Sequence, residues 1–158
     1  MLCEHKDAFA ELLPEKGKLL GLDLGSKTIG LALSDSNWHV ASALETIRRS
    51  KFTKDLAQLK SVIEERAVVA LVLGLPVNMD GSEGPRCQST RQFVKNLETI
   101  GELKLPILLW DERLSTSAVE RFLIDEVDMN RKRRGEVVDK MAAAFILEGA
   151  LTALNATN

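Results

Sequence analysis

Asp23 stands inside the apolar run Lys18-Leu19-Leu20-Gly21-Leu22-Asp23-Leu24-Gly25, and further acids follow at Asp111, Glu112 and Asp139. A carboxylate in a strand bound for burial is costly unless it is paired, hydrogen-bonded or set against a cation. Asp23 therefore needs a partner, which is either an amide of the next turn, such as that of Ser26 or Lys27, or a metal ion. Asp111 and Glu112 end a second apolar run, Leu105-Pro106-Ile107-Leu108-Leu109-Trp110. Asp139 falls in the first turn of an expected helix, about 100° round from Val138, at the border of its apolar stripe. Carboxylates without Cys or His companions favour a hard ion with oxygen ligands, so Mg²⁺ or Mn²⁺ is the expected metal and zinc is not. Such sites serve in-line attack on phosphate, commonly with two ions roughly 3.5–4 Å apart, so the matching substrate is a phosphodiester. Each acid also has a purely structural use. Asp111 or Glu112 can cap a helix near Ser115, Asp139 can offset its own helix dipole, and Arg113 can pair with either. The joint pattern, rather than any single acid, points to metal chemistry.

The elements that must carry these acids follow from hydrophobic periodicity. The run ending at Asp23, the Gly25-Ser26-Lys27-Thr28 turn and Ile29-Gly30-Leu31-Ala32-Leu33 read as an antiparallel hairpin. Residues 38–47 supply a third strand of weak alternation, and residues 52–66 a helix with Leu56, Leu59 and Ile63 on one stripe. Ala67-Val68-Val69-Ala70-Leu71-Val72-Leu73-Gly74 reads as a central strand covered on both faces. A long loop with Asp80-Gly81 at its turn leads to a helix over 86–100 and then to the strand that ends at Asp111. Ser117 and Glu120 have capping-box spacing for a further helix. A last helix, 135–154, carries Val138, Met141, Ala142, Phe145 and Gly149 on one stripe. Three antiparallel strands followed by two parallel ones make a mixed five-stranded α/β sheet with helices on both faces. In such sheets the crevice lies beyond the carboxyl ends of the parallel strands, where Asp23 and Asp111 or Glu112 converge if the first strand runs beside the late two.

Composition sets the outer limits. At 158 residues the chain suits one domain over 18–154, and residues 1–17 read as a poorly ordered extension without a secretory pattern. Apolar content of 45% contains no run long enough to cross a membrane, so a cytoplasmic protein without membrane partners is expected. The two cysteines, Cys3 and Cys87, suit neither a disulfide framework nor a zinc site. A net charge of −2 argues against indiscriminate nucleic-acid binding, but positive charge is concentrated at Arg131-Lys132-Arg133-Arg134 and at Arg48-Arg49-Ser50-Lys51.

Four motifs in order resemble the YqgF/RuvX family: Asp23-Leu24-Gly25-Ser26-Lys27-Thr28-Ile29-Gly30, the segment from Gly74-Leu75-Pro76-Val77-Asn78 to Gly84-Pro85, Asp111-Glu112-Arg113-Leu114-Ser115-Thr116, and Val138-Asp139-Lys140-Met141-Ala142-Ala143. The resemblance spans residues 18–151. It implies an RNase H-like fold, a bacterial cytoplasmic setting and a nuclease role in maturing the 5′ end of pre-16S rRNA on ribosomal particles. Holliday-junction resolution, the cleavage of branched DNA, is an older proposal for the family, and a non-catalytic RNA-binding assembly factor is the reading from a different class. By the match, Asp23, Glu112 and Asp139 become the catalytic, metal-binding acids, with Asp111 the alternative to Glu112. The RuvC resolvases have an acid on the strand that corresponds to residues 67–74, and this sequence has none there, so its second ligand must come from the later strand. Lys27, Asn78, Arg113, Arg131, Lys132, Arg133 and Arg134 become the candidates for nucleic-acid contact, positioning a backbone without reading its sequence. A symmetric junction would favour a stable dimer, whereas the preferred reading expects a monomer or weak dimer.

Overall fold

Lys18–Leu24 and Thr28–Ser34 form the expected hairpin, in which Asp23 pairs across the strands with Gly30. The computed structural model describes residues 1–112 and 131–156, with side chains in the last helix from residue 139 onward. In chain order the elements are β1 (Leu2–Cys3), α1 (Lys6–Leu12), β2 (Lys18–Leu24), β3 (Thr28–Ser34), β4 (Ala41–Arg48), α2 (Phe52–Glu65), β5 (Val68–Leu75), α3 (Pro85–Thr99), β6 (Ile107–Asp111) and α4 (Arg131–Asn155). The helix expected to open at Ser117 lies outside the described residues. Among the described residues no helix is long and apolar enough to cross a membrane.

The sheet runs β1-β6-β5-β2-β3-β4, with β2 parallel to β5 and β5 parallel to β6, as the placement of the acids required. Among the described residues it has six strands rather than the five expected. The additional strand comes from residues 1–17. Leu2 and Cys3 pair in parallel with Ile107 and Leu108, and Phe9 of α1 is fully buried beside α4. A two-residue strand has no periodicity to read, which is why this segment passed for an extension.

Side-chain alternation divides the core. Leu20, Leu22, Ile29, Leu31, Leu71 and Leu73 face α2 and α3, whereas Leu19, Ala32, Ala70, Val72 and Leu108 face α1 and α4. Asp55, in the first turn of α2, is buried and accepts the Ser50 N–H at 3.0 Å, fixing the chain as it enters that helix.

The α4 side of the sheet is shaped by missing side chains. A Cβ on Gly30 would land on the Asp139 carbonyl, and one on Gly21 would sit 2.9 Å from the Leu147 Cβ. The helix backbone therefore rests directly on the hairpin. This contact also corrects the expected stripe of α4. Met141, Ala142, Phe145 and Gly149 are only half-buried, and Ala143, Ile146, Leu147, Ala150, Leu151 and Leu154 form the buried face. Residues 141–147 are apolar all round, so two stripes are available, and the glycine-lined sheet selects the one led by the smaller Ala143.

Gly30→Ala should lower stability by about 2–3 kcal/mol, because the methyl group meets backbone that cannot rotate away. Chemical denaturation of wild type and variant checks this.

Candidate active site at the carboxyl edge of the sheet

Strand register gathers the acids. Leu22 pairs with Leu73 and Gly74 with Trp110, so Asp23, Gly74 and Trp110 lie at one level of the sheet. All three belong to the α4 face by alternation from Leu19, Val72 and Leu108. Glu112 follows one residue after β6 and folds back over Gly74, where an added Cβ would meet its Cγ and Oε1 at 2.7 Å. Asp139 arrives from the opposite layer, in the part of α4 that rests on Gly30. The Thr28 hydroxyl donates a hydrogen bond to its Oδ2, tying it to the first residue of β3.

The structure thus brings Asp23, Glu112 and Asp139 together from β2, the end of β6 and α4. Asp23 and Glu112 share a hydrogen bond, which requires a proton between two carboxyl groups. Burial first, then that bond and the charges of Glu112 and Asp139, push the Asp23 carboxyl up to about 8, and the Arg86 guanidinium opposes the shift. Among the described residues no group of three acids is drawn tight enough to enclose an ion in this arrangement. The donor set, all carboxylate oxygen, is nonetheless of the kind that hard divalent cations take.

Asp111 goes elsewhere. Alternation turns it to the face of Ile107 and Leu109, and it lines a separate groove with Glu83 and Arg91. There Arg91 donates to both oxygens of Glu83, at 2.8 and 2.9 Å, and contacts Glu4 at 2.6 Å. Asn78 turns inward on its own loop and donates to the Ser82 Oγ at 3.1 Å, while Gly81 takes the positive φ of the turn. Arg113 lies outside the described residues, and so do the side chains of Arg131, Lys132, Arg133 and Arg134, which open α4. Trp110 packs against Gly149 as a core residue, its indole nitrogen 3.0 Å from the point a Cβ there would occupy.

Beside the acids opens a groove of about 800 Å³, lined by the residue 24–28 turn, Arg49, Arg86 and Asp139. Lys27, a candidate by the family resemblance, lines it. Arg49 and Arg86 were not singled out as site residues. Arg49 carried a signal as part of a basic cluster, whereas Arg86 is a lone cation at the start of a helix and carried none.

A model of the RuvX family, described as Holliday junction resolvase, matches residues 17–153. A protein of Paracoccus denitrificans named "Putative pre-16S rRNA nuclease" is 58% identical over 154 residues, covering 98% of this chain and 96% of its own. One of the same name from Zymomonas mobilis is 59% identical over 148 residues, covering 94% and 88%. Among solved structures, RuvC of T. thermophilus in complex with a Holliday junction substrate superposes with a TM-score of 0.56 at 16% identity, over 89% of this chain and 97% of that one. This likeness bears out the RNase H-like fold.

The raised pKa of Asp23 sets a pH dependence. Between pH 3.8, its ordinary value, and about 8 the folded chain holds a proton that the unfolded chain has released, so stability falls as pH rises through that window. In divalent-free buffer Asp23→Asn should therefore melt about 3–6 °C above wild type near pH 8–9 and level with it near pH 4, a difference of ~1–2 kcal/mol. Thermal melts across pH check this.

Proposed function

The chain belongs to the RuvX family, and from that premise we propose that it is a nuclease that hydrolyses phosphodiester bonds in the 5′ leader of pre-16S rRNA, using Mg²⁺ or Mn²⁺ held by Asp23, Glu112 and Asp139. The observation that carries this reading is the convergence of those carboxylates at one edge of the sheet, at the mouth of a groove that bears Lys27, Arg49 and Arg86. Three carboxyl groups gathered at one edge, with the Asp23 carboxyl pushed up to about 8, are an electrostatic deficit that a divalent cation would relieve, and their oxygen donors match a hard ion. When bound, such an ion lowers the pKa of water and stabilises charge on the phosphoryl oxygens.

The remaining work falls to the chain itself. Asp23 and Glu112 must give up the proton they share before they can serve as ligands, so activity rises with pH. Thr28 holds the Asp139 carboxylate toward the turn and thereby fixes its rotamer. Arg86 favours the ionised form of Asp23 and presents positive charge toward the phosphate. Gly74 leaves Glu112 the room to fold back over the sheet. The setting proposed is cytoplasmic, on ribosomal particles, with a monomer or weak dimer as the working form.

Branched DNA is the second reading, favoured by the description of the family model as Holliday junction resolvase. The test is Mg²⁺- and Mn²⁺-dependent cleavage of an end-labelled pre-16S 5′ leader, with a four-way DNA junction alongside. Wild type should cut the leader, and Asp23→Asn should be slower by about 100-fold or more. Preferential cutting of the junction would move the substrate to DNA. Equal activity in both proteins, or RNA binding without cleavage, would overturn the catalytic reading, the latter in favour of an assembly factor.

A further inference from the structure

Positive charge reaches the groove from three separate stretches of chain: Lys27 in the β2–β3 turn, Arg49 just after β4, and Arg86 in the first turn of α3. None is close to another in sequence, and all are exposed. The two guanidinium groups are held in place. Arg49 donates from Nη1 to the Gly25 carbonyl at 2.6 Å and lies 5.8 Å from the centroid of the Phe93 ring, whose edge-to-face partner is Phe52. Arg86 reaches the Leu24 carbonyl with Nη2 at 3.5 Å. A carbonyl fixes a guanidinium without neutralising it, so Arg49 keeps its charge for the groove, and Arg86 presents its own to the groove and to Asp23 together. Gathering like charges costs energy, and an anion lying between them returns it.

The groove is also continuous with the acids. Leu24 and Gly25 directly follow Asp23, and Asp139 belongs to both the acid cluster and the groove wall. Its remaining walls carry the hydroxyls of Ser26, Thr28, Ser50, Ser89 and Thr90. Among the described residues that line it there is no aromatic ring on which a base could stack, and the nearby face of Phe93 is taken by Arg49. Cations and hydroxyls without stacking platforms recognise phosphate and sugar rather than base.

We propose that Arg49 and Arg86, with Lys27, form a backbone-binding subsite that holds the phosphates of a single strand next to the bond being cut, without regard to base identity. This subsite rests on the reading of the chain as a nucleic-acid enzyme, yet it is tested by binding alone. Arg49 and Arg86 are positioning residues here. They set where the strand lies relative to the acids.

The test measures fluorescence anisotropy of labelled oligouridylate and oligoadenylate about 12 nucleotides long, in EDTA, as salt is raised from about 50 to 200 mM. Arg49→Gln and Arg86→Gln should each weaken binding about 5- to 10-fold and reduce the slope of log K against log salt by about 0.7, the share of one phosphate on a single strand. The double variant should lose about 1.4. Arg49→Lys, which keeps the charge but not the planar group over Phe93, should keep the slope, and Lys60→Gln, on the outer face of α2, should match wild type. The two bases should bind alike within about 3-fold. An unchanged slope in both Arg→Gln variants, or a strong preference for one base, would overturn the proposal. Cleavage assays of the same variants separate the two readings. Cleavage with unaltered slopes removes the subsite and keeps the nuclease, whereas slope losses without any cleavage keep the subsite and remove the nuclease.

Discussion

The close approach of α4 to the β2–β3 hairpin is the constraint on which the rest of the site depends. A helix packed on a sheet normally stands off by the length of two interleaved side chains, and here one layer of them is absent at Gly21 and Gly30. The distance saved is what lets Asp139, on a helix, share a field with Asp23, on a strand. Glycine in a strand weakens that strand, and at Gly30 the loss is offset by the burial of Ala143, Ile146 and Leu147 over the hairpin. Gly74 serves the same end for Glu112, so each acid from outside the hairpin enters through a position that lacks a side chain.

The resulting edge of the sheet is electrically divided. Glu112 and Asp139 raise the proton affinity of Asp23 on one side, while Arg49, Arg86 and Lys27 line the groove at the residue 24–28 turn. The turn is the boundary, since Gly25 accepts from Arg49 on one side and Asp23 precedes it on the other. A phosphodiester, the substrate proposed above, has the complementary division: its charged backbone would suit the cations, and its reacting phosphorus would call on the ion proposed for the acids. On that proposal each half of the site, unfavourable alone, becomes favourable when substrate and cation arrive together.

Much of this was legible because burial leaves strong patterns. The unbroken apolar run over 67–74 announced a central strand, and the charge of Asp23 inside another such run drew attention to the edge where the acids meet. Where pattern was absent or double, reading failed for a physical reason. Leu2 and Cys3 are too few to show a period, and the apolar ring at 141–147 allows two buried faces, of which only the packed sheet selects one. Asp111 and Glu112 are neighbours that no composition rule can separate, and strand alternation sends them to opposite faces. Arg86 shares its groove with Arg49 and Lys27 only because β2 and β4 end, and α3 begins, at the same edge.

The pairing of β1 with β6 bears on the order of folding. The hydrogen bond from the Met1 ammonium to the Leu105 carbonyl spans 104 residues, and no local contact prepares it. A parallel pairing of such separation carries the largest loop-closure cost in the sheet, so β1 docks after the β2–β6 framework stands. Two residues of pairing at the sheet edge are a small hold beside the longer β2–β3 and β2–β5 ladders, even with the Met1 and Glu4 ion pairs to Glu98 and Arg91, which places this strand among the first to open in native-state fluctuations. Amide protons along β6 should then exchange through partial opening of the edge, on a faster clock than those of β2 and β3 beneath α4.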